Sequence, residues 1–427
     1  MGLGILFLLL LVLVLINVPI AVALGAMAIV AMASSHGVEA LPNVGLVMYT
    51  GATQFPLIAI PLFILAGAIM NASGISQRLI ALASALFGFV RGGLSMVTIS
   101  ASLFFAEISG SAVADVAALG SVLIPAMKKR GYSNAFAAAV TSSSATLAVI
   151  IPPSIPMILY GVMSDSSIVE LFVAGILPGV LGGLLMMFVA WVWARRNNLP
   201  VEEAFHLGRV KQTFLEAGWA LLLPVIILGG IFTGWVTATE GAGLAVLAAL
   251  VIGGLVYREL DVRALGRAIL DGGTQTAVVM LLVATSALLG DFLTEGRVPQ
   301  QIAATITSMT DSRLVVLGLL NVFFLLVGLF LHSAAAIILV VPIVMPLVQA
   351  VGIDPVHFGL VVTLNLGIGQ QTPPVASVLV TACSVAKADI WEVTKTNVWF
   401  ILVLLFVLLL VTYVPSFSLF LVEWFYR

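Results

Sequence analysis

The sequence predicts an all-α, polytopic membrane protein, and three observations carry that prediction. Of its 427 residues 62% are hydrophobic and 8% charged, with a mean hydropathy of +1.23; soluble domains carry about a quarter charged residues. Several apolar runs exceed the roughly 18 to 20 residues that cross a bilayer as a helix. No strand-like alternation dominates, so helices rather than a closed barrel would satisfy the backbone in lipid.

Taken in order, the expected membrane elements are residues 2–34, 55–72, 94–126, 132–163, 169–194, 213–233, 236–257, 272–292, 314–350, 356–385 and 396–424. Residues 2–34 carry no charge and lack the basic flank and cleavage signal of a secretory peptide, so they are expected to stay in the bilayer, as one long helix or two short ones. No linker is polar enough to separate a soluble domain, the longest polar stretch being residues 195–213.

Basic residues set the orientation. Arg91 and the run Lys128, Lys129, Arg130 agree with a cytoplasmic location if residues 94–126 enter the membrane and return. Two full crossings need about 40 residues, so this run is expected to be a re-entrant helical hairpin. Its tip is the stretch "FFAEISGSAVADVAALG". Counting crossings onward makes residues 314–350 a second hairpin, entering from the opposite face.

An internal repeat supports this. At an offset of 221 residues Pro125 falls on Pro346, Gly131 on Gly352, Pro152 and Pro153 on Pro373 and Pro374, and Ser111 on His332. Inverted repeats with interrupted helices recur in secondary transporters, with binding at the midplane. Residues 1–92 and 195–312 then read as scaffold-like helices. Residues 93–194 (hairpin 94–126, broken helix 132–163) and 313–427 (hairpin 314–350, broken helix 356–385) read as two transport units.

The breaks carry the chemistry. Pro152, Pro153 and Pro156 deprive the carbonyls of Ala148 and Val149 of their usual helical partners, and Pro373 and Pro374 do the same to Gly369 and Gln370. Carbonyls and hydroxyls at a helix break suit an alkali cation without a fixed charge. One sodium site is expected among Ser109, Gly110, Ser111, Ala148, Ile151 and Pro153, the other among Gly328, Gly369, Gln370 and Thr372. The alternative for any one proline is a plain kink between packed helices.

The second arm of each hairpin begins at its tip, so helix N-termini point to the midplane and attract an anion. Ser111, Asp115, His332 and Asn365 are the expected substrate-binding residues. Asp115 has the alternative of satisfying nearby N–H groups, Glu107 is expected to cap its arm or pair with a basic partner, and Glu240 reads as a first-turn acid of a helix opening at residue 241, a structural role. The histidines form no HExxH pattern, no phosphate-binding loop is present, and Ser109 lacks the GxSG setting of a protease nucleophile, so no enzyme is expected. The net charge of −2 selects no partner, no nucleic acid is expected, and the single cysteine, Cys383, excludes disulfides and CxxC redox chemistry.

"EISGSAVADVAALGSVLIPAMKKRGY", "IIPPSIP", "TATEGAG" and "NLGIGQQTPPV", in this order over the whole chain, resemble the large membrane subunit of TRAP (tripartite ATP-independent periplasmic) transporters. The resemblance implies a sodium-driven importer of organic acid anions in a bacterial inner membrane, using two or more Na+. It also implies a DctQ-type small membrane subunit, a DctP-type periplasmic binding protein, and an elevator movement of a transport domain against a scaffold. By motif, Ser109, Ser111 and Asp115 match the family's first tip, and Pro152, Pro153, Thr372, Pro373 and Pro374 its two breaks. His332 stands where many members have Asp, and Gln370 and Gln371 where they are usually apolar. The competing expectations are a standalone sodium-coupled dicarboxylate carrier with the same inverted hairpins, and a passive channel.

Overall fold

The computed structural model describes residues 18–37, 41–109, 111–199, 201 and 205–427, with isolated positions at 9, 12, 13, 16 and 39; the side chains of His36 and residues 105–109 lie outside the description. Regular structure among these residues is helical, and eight helical segments are long and apolar enough to cross a membrane.

Of the expected element at 2–34, the described helix is α1 (Ile20–His36), opening after Pro19. α2 (Leu41–Ala52) is absent from the sequence-based expectation because Pro42, Asn43 and two glycines dilute its apolar run. A 3₁₀ turn, Phe55–Ile58, leads into α3 (Ala59–Ala72), and α4 (Ile75–Phe87), also unexpected, is amphipathic rather than uniformly apolar. The first hairpin is α5 (Gly93–Ser109) and α6 (Ala112–Lys129). The first broken helix is α7 (Asn134–Ala148) and α8 (Ile155–Ser164), followed by α9 (Ile168–Arg196).

α10 (Leu207–Phe232) precedes α11 (Ala238–Leu250), which continues through a wider turn at Val251–Val256. α11 opens at Ala238 rather than residue 241: Thr237 caps it, and Glu240 is the reciprocal member of a capping box. α12 (Val262–Glu295) outruns the expected 272–292, because Asp261 caps a charged first stretch that an apolar window passes over. α13 (Val298–Met309) is the third unexpected helix.

The second hairpin is α14 (Arg313–Phe330) and α15 (Ser333–Ala350), and the second broken helix is α16 (Pro355–Gly369) and α17 (Ser377–Ala386). The expected element at 396–424 is two helices, α18 (Ile390–Tyr413) and α19 (Pro415–Tyr426), since Pro415 has no N–H to continue the ladder.

The repeat holds at the level of single hydrogen bonds. After each hairpin the chain turns through a left-handed glycine, Gly131 (φ 85°) or Gly352 (φ 68°), then meets an N-cap, Ser133 or Asp354, that accepts the first N–H groups of the broken helix. Both breaks contain a cis peptide at the equivalent position, Pro152–Pro153 and Pro373–Pro374. The offset of 221 is not constant, however. The second break has one residue more, so Ile155 corresponds to Ser377 and Ile168 to Ile390, an offset of 222.

Packing exchanges the two units. Each hairpin packs on the first half of its own broken helix (α5 and α6 on α7, α14 and α15 on α16), while its second arm packs on the second half of the other (α6 on α17, α15 on α8). The hairpins also provide the main packing against the rest of the chain, α5 against α3 and α4, α15 against α12 and α13.

Candidate functional site at two helix breaks

The carbonyls expected to lose their partners at the breaks have found others. At the first break Ile151 N–H donates to the Ala148 carbonyl (3.1 Å), and buried Ser154 donates its hydroxyl to the Val149 carbonyl while capping α8. At the second, Thr372 N–H donates to the Gly369 carbonyl (2.9 Å) and Val378 N–H to the Gln370 carbonyl (3.2 Å). The i+4 partners are lost as the prolines require, but 3₁₀-type bonds to Ala148 and Gly369, the Ser154 hydroxyl at Val149 and the more distant Val378 amide at Gln370 replace them. Each carbonyl keeps a second lone pair for a ligand.

Among the expected first-site residues, the Ser109 side chain and Gly110 lie outside the described residues, as does the Glu107 side chain. Ser111 is the extended, half-buried residue before α6, and Asp115, bonded through its N–H to the Ser111 carbonyl (3.0 Å), is 1% exposed in the first turn. Ala148 and Pro153 are buried and Ile151 half-buried.

At the second site Gly328 and Gly369 touch backbone to backbone. Thr372 is half-buried and donates to the Ile368 carbonyl (3.1 Å). Gln370 donates to the Ser333 hydroxyl, which joins the break to the start of α15. His332, at the tip, is exposed. Asn365 does not join it there. It is fully buried a turn inside α16, donating to the Asn321 side chain (2.6 Å) and the Val361 carbonyl (2.7 Å). Its own Oδ1 is buried without a hydrogen bond.

Sequence reasoning missed the polar group around Gln371. Its amide donates to the Ser142 carbonyl (2.6 Å) and the Thr146 hydroxyl of α7 and accepts from Asn397 of α18 (2.8 Å), which in turn accepts from Ser143 (2.6 Å). A run "TSSSAT" in an apolar helix was the available signal. Among the described residues no group of three or more His, Cys, Asp or Glu gathers as a metal site.

A family model described as "Tripartite ATP-independent periplasmic transporter, DctM component" matches residues 7–417. The isethionate TRAP transporter permease protein DctMQ of Oleidesulfovibrio alaskensis is 40% identical over 400 residues, which span 92% of this chain and 62% of that longer relative. The C4-dicarboxylate TRAP transporter large permease protein DctM of Pseudomonas aeruginosa is 36% identical over 400 residues, 94% of this chain and 93% of the relative. The Alcanivorax borkumensis YdaH transporter shares the fold, with a TM-score of 0.62 at 16% identity over 92% of this chain and 90% of that one.

Proposed function

This chain belongs to the DctM family of tripartite ATP-independent periplasmic transporters, and from that premise we propose that it is the sodium-driven transport subunit of an organic acid importer. It is a multi-pass protein of the bacterial inner membrane, a large permease subunit for organic acids and not an enzyme. The proposal adds the coupling ion, the site, the movement and the partners.

The observation that carries it is the paired geometry: two hairpin tips, each with a helix start, and two breaks in which the Ala148 and Gly369 carbonyls are held by equivalent bonds, from Ile151 and Thr372 N–H. In this reading two or more sodium ions bind there. One lies among Ser109, Gly110, Ser111, Ala148, Ile151 and Pro153, the other among Gly328, Gly369, Gln370 and Thr372. The bound cations offset the anion's charge, and the N-termini of α6 and α15 supply donors to it. Ser111, Asp115 and exposed His332 lie nearest the cargo, while buried Asn365 acts from inside the second unit.

Residues 93–194 and 313–427 then move as a body against residues 1–92 and 195–312. The exchanged packing supports this, because the units grip each other while the hairpins carry most of the packing against the other helices. A DctQ-type small membrane subunit and a DctP-type periplasmic binding protein complete the system. Relatives named for isethionate, C4-dicarboxylates, 2,3-diketo-L-gulonate and sialic acid support an organic acid of the carboxylate or sulfonate class as the cargo.

The test is uptake into proteoliposomes holding this chain and its small partner. A panel of carboxylates and sulfonates is offered with and without the binding protein and an inward sodium gradient. Accumulation that needs both is the expected result. Accumulation with sodium alone would point to a standalone dicarboxylate carrier, and uptake that never exceeds equilibrium to a channel.

A further inference from the structure

The glutamine at the second break belongs to both breaks at once. Its backbone is part of the second, where Gln371 N–H donates to the Ile368 carbonyl (3.0 Å). Its side chain grips α7 just before the first, through the Ser142 carbonyl and the Thr146 hydroxyl. The Thr146 carbonyl in turn accepts the Val149 N–H (3.2 Å), the first bond of that break. Neighbouring Gln370 reaches Ser333 at the start of α15. A continuous path therefore runs from the second tip, through Ser333, Gln370, Gln371 and Thr146, to the first break.

The fold itself does not demand this link. The positions equivalent to Gln371 and Asn397 in the first unit are Ile150 and Gly175. There the gap is closed by the Ile150 carbonyl lying against the glycine, 2.0 Å from where a β-carbon would stand. A buried amide pair costs free energy unless every group is satisfied. Here both ends of Gln371 are: Asn397 and Ser143 serve its carbonyl, and Ser142 and Thr146 its amide. Gln371 is fully buried, so nothing in solvent substitutes for these partners.

We infer that Gln371 is a positioning residue that couples the two cation sites, so that an ion ordering one break favours the ordered form of the other. This rests on the sodium reading above and adds that the sites are cooperative. Spatial continuity alone does not establish coupling; linkage does, because coupled sites bind with a Hill coefficient above one, up to the number of sites.

The experiment is equilibrium saturation binding of radiolabelled sodium to the purified chain with its small partner, with potassium as the control for ion specificity and the unfolding temperature as the check that each variant is folded. The wild type is expected to show a Hill coefficient of about two, and Gln371→Met one of about one. Thr146→Val, which keeps the shape of the helix, gives the same loss if Gln371→Met does not fold. Combining the two is expected to add nothing to either. An unchanged Hill coefficient in a folded variant, or a wild-type value of one, overturns the coupling while leaving the sodium sites standing. A wild type indifferent to sodium overturns the sodium reading and the coupling with it.

Discussion

Gly328 of α14 and Gly369 at the end of α16 meet backbone to backbone: a β-carbon on Gly369 would stand 2.5 Å from the Gly328 Cα. The neighbouring atoms are main chain and cannot swing aside. Gly369→Ala is therefore expected to destabilise the protein by about 1–3 kcal/mol, as overpacking does. Gly218→Ala, in α10 with open space around it, is expected to be neutral or to stabilise by about 0.5–1 kcal/mol. Thermal unfolding in detergent measures both, and equal effects would refute the close packing.

Ser154 holds the first break together from within, giving its proton to the Val149 carbonyl and accepting the Met157 N–H. Both groups are buried, so Ser154→Ala leaves a carbonyl and an amide without this partner and is expected to cost about 1–3 kcal/mol. Ser154→Thr keeps the hydroxyl. Amide hydrogen exchange at Met157 is expected to accelerate in the alanine variant and much less in the threonine one.

Arg78 of α4 pairs with Glu259 through both carboxylate oxygens (2.7 and 3.1 Å) and lies 3.8 Å over the Tyr257 ring. The hydrogen bonds from Arg78 hold the Glu259 carboxyl below its ordinary value of 4.5. A depressed carboxyl contributes stability above its unfolded-state pKa and loses it as pH falls through the folded one. The pair is partly exposed, 25% and 43%, so solvent and salt limit it to about 0.2–1 kcal/mol. The stability gap between wild type and Arg78→Gln is expected to narrow from about pH 5 to 3 without vanishing, because the cation–π contact persists. A gap independent of pH would refute the pairing.

What was legible in the sequence followed from rules that act locally. Pro152, Pro153, Pro373 and Pro374 remove helical bonds wherever they fall, and Gly131 and Gly352 fix turns, so hairpins, breaks and their repeat were readable. The partners of the displaced carbonyls were not, because Ser154 and Val378 reach them only after the chain has folded back. Asn365 was readable as a polar residue before the second break, but its partner Asn321 was not, because it comes from the first arm of the second hairpin, 44 residues earlier. Nothing in the sequence singles out Asn397, which meets Gln371 only where α18 packs on α7. Short amphipathic helices such as Ile75–Phe87 escaped because their average hydropathy is unremarkable at the length of a bilayer span.

The placement of the cation sites is tested at Thr372 and Ser111. Thr372 donates its proton to the Ile368 carbonyl, which leaves the hydroxyl lone pairs available to an ion. Thr372→Val keeps the branched shape and removes that oxygen, at a cost to folding of about 0.5–1.5 kcal/mol. Ser111→Ala removes the corresponding hydroxyl before α6. The sodium concentration for half-maximal uptake is expected to rise about tenfold in each variant, the equivalent of losing about 1.4 kcal/mol of ion binding, with maximal uptake at saturating sodium largely retained. Unchanged sodium activation in both would place the ions elsewhere, whereas loss of uptake at every sodium concentration would mean that the hydroxyls serve the fold rather than the ion.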